Sequence, residues 1–187
     1  MANRNTQGFG LIPAGTLGQT PATSGTGKYK IDAGYSTTIF QGGAVSSSAG
    51  YIVDGQTTDA PVLGVLNGIF YNAATTLKPT FANFYKQPIT PANSEDIDAF
   101  VFDNPQQQYV VAIDNTLAQS GYLETYDMNA SAGSDTTGKS SSTLDHDDTS
   151  ADAASFRLLR SAEDPENDEN SAFRSVVVCI NLIELQS

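Results

Sequence analysis

Asp59 to Tyr71 reads Asp-Ala-Pro-Val-Leu-Gly-Val-Leu-Asn-Gly-Ile-Phe-Tyr. Pro61 has no N–H to give a ladder, so it can open a strand but cannot sit inside one. Val62, Leu63, Val65, Leu66, Ile69, Phe70 and Tyr71 follow it, and they are apolar on both faces. A strand wetted on one side alternates instead. Gly64 and Gly68 interrupt the run, as glycines do at bulges or where another backbone approaches closely. The stretch predicts a curved central strand, buried on both sides, with other strands wrapped round it.

The rest of the chain agrees with a β fold. Only 16% of the 187 residues are charged, which leaves few Lys, Glu and Arg for the wet faces of long helices. The length suits one domain or two small ones, with a real core. We expect an all-β protein: an extended N-terminal arm over 1–27, then a β-barrel or sandwich-like domain in two β-rich halves. These halves are 28–92 and an acidic 93–187, together forming one compact unit. Residues 1–27 hold six glycines and only four sizeable apolar groups, Phe9, Leu11, Ile12 and Leu17. Such a segment stays disordered or lies against a partner through those four side chains. Strands are expected over 28–33, 35–40, 51–53, 99–102, 109–114, 122–126 and 156–160. Asp54-Gly55 is expected as a hairpin turn. Phe81, Phe84 and Tyr85 are expected as anchors in an irregular 72–98, and 127–152 as a long polar loop. The run from Val176 to Ile180, extended by Leu182 and Ile183, is expected to be a central strand.

Net charge is −12, with +2 in residues 1–93 and −14 in residues 94–187. Such a chain repels phosphate backbones and anionic membranes, so neither nucleic acid nor membrane is expected as a partner. Cys179 is the only cysteine, which excludes an intrachain disulfide, and it lies in an apolar run as a small buried hydrophobe. No secretory signal pattern opens the chain, and no apolar run is long enough to cross a bilayer. Synthesis in a cytoplasm, without export by a visible signal, is the expectation.

Motifs that carry chemistry are weak. Gly133 to Ser140 fits G-x-x-x-x-G-K-[ST], but a phosphate-binding loop needs a buried strand before it and a helix after it. The flanks here are polar, and clustered carboxylates would repel a nucleotide. Asp164, Glu166 and Asp168 alternate as in the start of an EF-hand loop, yet the sixth and twelfth places hold Glu169 and Ser175 instead of Gly and Glu. His146 is the only histidine, there is no G-x-S-x-G elbow, and there is no Trp to line a sugar groove. We therefore expect no catalytic residue, no cofactor and no metal.

A family likeness runs through nearly the whole chain in short, loose motifs. It is carried by the opening Met-Ala-Asn with Gly8-Phe9-Gly10-Leu11-Ile12-Pro13, by Tyr29-Lys30-Ile31 with Gly34-Tyr35 and Ile39-Phe40-Gln41-Gly42, and by Val62-Leu63-Gly64-Val65. It continues in Asp103-Asn104-Pro105 before a strand ending at Asp114, in Thr137-Gly138-Lys139-Ser140 ahead of Leu144-Asp145, and in Phe156-Arg157-Leu158-Leu159, Asp164-Pro165-Glu166-Asn167 and Val176 to Asn181. In these the chain resembles small tailed-bacteriophage virion proteins, the head decoration or cement proteins. The resemblance implies a β-rich, usually trimeric protein on the exterior of an icosahedral capsid, with no catalytic residues. It implies the major capsid protein and the chain itself, as a homotrimer, as partners. Phe9, Leu11, Ile12 and Leu17 are the expected capsid contacts, with the near-neutral first half facing the shell and the acidic half facing solvent. The runner-up is a receptor- or glycan-binding module of a phage tail or head fibre, which a cluster of exposed aromatic residues would favour.

Overall fold

The computed structural model describes residues 5–17, 25–56, 61–131, 133–147, 154–168, 170–181 and 183–184. The expectations for Asp59, Glu169, Leu182, the 18–24 part of the arm and the end of the polar loop lie outside those residues. No helix of the described residues is long and apolar enough to cross a membrane.

The chain is nearly all β. Its strands in order are β1 (Ile12–Thr16), β2 (Gly27–Ile31), β3 (Ala44–Ser48), β4 (Tyr51–Asp54), β5 (Gly64–Asn72), β6 (Pro79–Ala82) and β7 (Ile97–Phe102). They continue with β8 (Gln107–Ala112), β9 (Thr125–Tyr126), β10 (Met128–Asn129), β11 (Thr143–Leu144), β12 (Phe156–Ser161) and β13 (Ser175–Ile180). One sheet runs β2-β7-β5-β3-β4, with β6 added on β5; a second runs β1-β8-β13-β12-β9; β10 and β11 form a small pair. In the first sheet the end strands β2 and β4 also lie against each other, so the sheet curls toward closure.

β5 is the expected central strand, with three partners, β7, β3 and β6. Its apolar residues divide between two cores. Leu63, Leu66 and Ile69 enter the core inside the curled sheet, with Ile31, Ile52 and Val101. Val62 and Val65 enter the core between the two sheets, with Tyr109, Phe156 and Val178. The glycines do what the run required. A Cβ on Gly64 would collide with the Phe102 carbonyl oxygen and come within 2.7 Å of Val101 Cγ1, and the register with β7 shifts between Leu66 and Gly68. β13 is likewise central, between β8 and β12. Val176, Val178 and Ile180 face the inter-sheet core, while Val177 and Cys179 are buried on the other face. Burial pushes the Cys179 thiol up, away from the reactive thiolate. So one chain buries the Gly64–Leu66 end of β5 on both faces and all of β13, while the far end of β5 is only partly covered.

Several local expectations are corrected. Residues 35–40 make no strand: Tyr35 N–H closes a turn on the Asp32 carbonyl at 3.0 Å, and Ile39 makes a single bridge to Tyr85. The hairpin turn lies not at Asp54-Gly55 but at Ala49-Gly50, where φ values of 50° and 86° link β3 to β4. Of 122–126 only Thr125 and Tyr126 form a strand, against β12, although Leu123 and Glu124 also hydrogen-bond to Leu158. The 127–152 loop is not wholly polar surface, because Met128 and Leu144 reach the inter-sheet core. Ser140, Ser142 and Gln56 form a buried chain of hydrogen bonds beneath it. The two halves also exchange strands: β7 joins the sheet of the first half, and β1 joins the sheet of the second.

Candidate partner-binding surfaces

The N-terminal segment is held by its backbone. Gly10 N–H donates to the Ser142 carbonyl at 3.1 Å, Leu11 N–H to that of Gly42 at 2.8 Å, and Leu17 N–H to that of Gln106 at 2.9 Å. Between them β1 pairs with β8. Over residues 5–17 the expected arm is therefore part of the fold, because a strand with a ladder partner satisfies its polar groups and can bury a side chain. Alternation sets the rest. Leu11 is core, at 1% exposure, while Ile12 and Leu17 stand in water at 51% and 43%. Phe9 is half-buried. The structure thus brings Phe9 and Ile12 together on one groove of ≈ 230 Å³, with Pro13 and Phe102 as further apolar walls. Leu11 lines its floor and is not free to leave, and Leu17 lies outside the groove. The outer edge of β1 is a poor template for an added strand, since Pro13 lacks an N–H and the register shifts between Pro13 and Gly15. What the segment offers is side chains.

A second surface was missed by the sequence reading. Phe81 is not an anchor: it is 74% exposed on β6. Of the other two residues named with it, Tyr85 is buried and Phe84 stacks on Phe40 at 5.6 Å. Phe81 pairs with Phe70 on β5, and their ring centroids are 4.7 Å apart. Phe100 on β7 lies opposite Gly68. Strands two places apart are ~10 Å from each other, yet the rings of Phe81 and Phe100 are 6.4 Å apart and 20° from parallel. Gly68, the β5 residue opposite Phe100, has no side chain, and a Cβ there would meet the Ala82 carbonyl. Alternation of β5 and a turn before Pro79 were the signals that could have shown the hairpin.

Beside this platform Lys28 and Lys30 hold Asp98 at 2.7 and 2.6 Å. Burial pushes the Asp98 carboxyl up, but the two ammonium groups outweigh it and hold the group below its usual range. The hydrogen bond to Asp98 raises Lys30 in return. Phe70, Lys30, Asn72, Glu95, Asp96 and Asp98 border a groove of ≈ 260 Å³. The charge of the two halves is thus interleaved: lysines of the first meet carboxylates of the second here, and again where Lys86 meets Asp135 at 2.9 Å.

The weaker motifs resolve into turns. In the Gly133–Ser140 loop, Ser134 N–H donates to the Lys139 carbonyl, Gly138 N–H to that of Ser134 and Ser140 N–H to that of Gln41. These donors are spent within the protein, and no helix follows among the described residues. Asp164 accepts the Glu166 N–H, and Asp168 that of Asn170, so their carboxylates close their own turns. Among the described residues no three His, Cys, Asp or Glu converge. His146 Nδ1 lies 3.0 Å from Asp147 Oδ1, whose side chain is 85% exposed. Ser120 and Glu124 border the same open depression. Comparison with family models, with curated proteins and with solved structures gives no match.

Proposed function

We propose that this chain is a structural virion protein that binds the outer surface of a phage capsid and stabilises it, as a decoration or cement protein. The observation that carries the reading is the strip of Phe9, Ile12 and Leu17. Two large aliphatic groups are held in water by a strand locked to β8, beside an apolar groove. Covering such a surface gains roughly 25 cal/mol per Å² with little further ordering, because the strand is already fixed. The motif resemblance supplies the partner, the major capsid protein, and a homotrimeric form. A protein that bridges shell subunits stabilises the shell by mass action. The electrostatic side of the expectation changes: with charges interleaved, the contact is defined by the strip and not by a neutral half.

The test is cryo-electron microscopy of shells that lack this chain, after mixing with the full-length protein. Density at regular lattice positions, lost with Ile12→Asp, is the expected result. Shells that stay bare overturn the proposal. The second reading, a receptor- or glycan-binding module, is favoured by the exposed phenylalanine platform, whose groove shares no lining residue with that of the strip.

A further inference from the structure

We infer that the outer face of β5, β6 and β7 binds a neutral carbohydrate, one pyranose ring stacking on Phe81 and its hydroxyls reaching the groove beside Phe70. The inference deepens the second reading and does not depend on capsid binding.

The platform has the shape for it. The axial C–H groups of a pyranose are polarised by the ring and hydroxyl oxygens and sit well on the negative face of an aromatic ring. Phe81 is 74% exposed, and the Phe100 ring lies nearly parallel to it at 6.4 Å. Phe70 is tilted 47° to Phe81 and forms the step down into the groove. The rings are set by three paired strands, so little ordering is needed on binding.

The groove has the matching chemistry. A sugar hydroxyl both donates and accepts. Lys30 and the Asn72 amide supply donors, and Asn72, Glu95 and Asp96 supply acceptors. Two of these groups are pre-positioned: Lys30 is tied to Asp98, and Asp96 accepts a hydrogen bond from Tyr51 at 3.2 Å. Around the site stand three carboxylates (Glu95, Asp96, Asp98) and two ammoniums (Lys28, Lys30), which disfavours acidic sugars. A protein partner fits less well. Phe70 and Phe100 are half-buried, so little more than one ring face is open, where a stable interface takes roughly 800 Å² per side.

The experiment is an amide-shift titration of the ¹⁵N-labelled full-length chain with trisaccharides of glucose, galactose, mannose and N-acetylglucosamine, and with trigalacturonate. The expected result is saturable shifts confined to 68–72, 79–82 and 95–100 for at least one neutral sugar, with Kd on the order of 1 mM. Phe81→Ala should weaken this about tenfold with the rest of the spectrum unchanged. Ile12→Asp should leave it unaltered, which separates this site from the capsid strip. No saturable shift with any neutral sugar, tighter binding of trigalacturonate, or equal affinity in Phe81→Ala each overturns the assignment.

Discussion

Val65 and Leu66 are consecutive in β5 and point into different cores, Val65 between the two sheets and Leu66 inside the curled sheet. Both are 1% exposed or less. Leu66→Ala should cost about 3 kcal/mol and Val65→Ala about 2, as large-to-small changes in closed cores do. With separate surroundings the two losses should add within about 0.5 kcal/mol in the double variant. Urea unfolding of the four proteins measures this; a larger coupling would mean that the two cores act as one.

Gly64 is where β5 and β7 press together. Gly64→Ala should destabilise by about 3 kcal/mol, because its methyl meets the Phe102 carbonyl and Val101, and neither can move without breaking the ladder. Gly50→Ala is the comparison. That residue has φ 86° and open space around it, so only backbone strain opposes the change, at about 1 kcal/mol. Equal losses at the two sites would refute the packing account.

Asp98 links pH to stability. Its folded carboxyl titrates below its unfolded value, so its contribution is present above the unfolded pKa of ~3.9 and is lost as pH falls through the folded one. Lys28 and Lys30 are 60% and 49% exposed, so screening limits the term to ~1 kcal/mol. Asp98→Asn should show that deficit in thermal unfolding at pH 7, and the deficit should shrink in acid and in molar salt. A deficit that persists unchanged in acid would assign it to packing.

Tyr29 acts at the alkaline end. Burial, then its hydrogen bond to Asp103 at 2.7 Å, pushes its phenol up to about 12. The unfolded chain ionises this group near 10 while the fold keeps it neutral, so stability should fall between those values as pH rises. Burial also raises the Tyr85, Tyr109 and Tyr126 phenols, so ultraviolet titration should show several late phenols, of which Tyr29→Phe removes one, together with its share of the alkaline loss. An ordinary midpoint for that phenol would contradict the geometry.

The N-terminal segment should separate folding from binding. Removing residues up to Leu17 takes Leu11 from the core and β1 from β8, so melting should move down by several degrees, as for a loss of ~2 kcal/mol. Ile12→Asp should melt within ~1 kcal/mol of the parent, because Ile12 is 51% exposed, and should still weaken shell binding. A truncated chain that melts like the parent would restore the picture of a detached arm.

The sequence alone determined which strands are central. Residues apolar on both faces call for cover on both, which β13 finds along its whole length and β5 at its Gly64–Leu66 end. It also determined the burial of Cys179, since the apolar run around it decides this locally. Only the tertiary structure decided what covers each face. Phe70 and Phe81 read like core residues, and they are surface residues because the second sheet covers Val65 and Phe102 at one end of that face and leaves the other open. Ile12 and Leu11 read alike, and the ladder to β8 sends one out and one in. Periodicity reports how many sides of a strand are dry. Which strand lies alongside is set by contacts between distant residues, such as Asn5 with Ser175, 170 positions apart, and no local pattern encodes them.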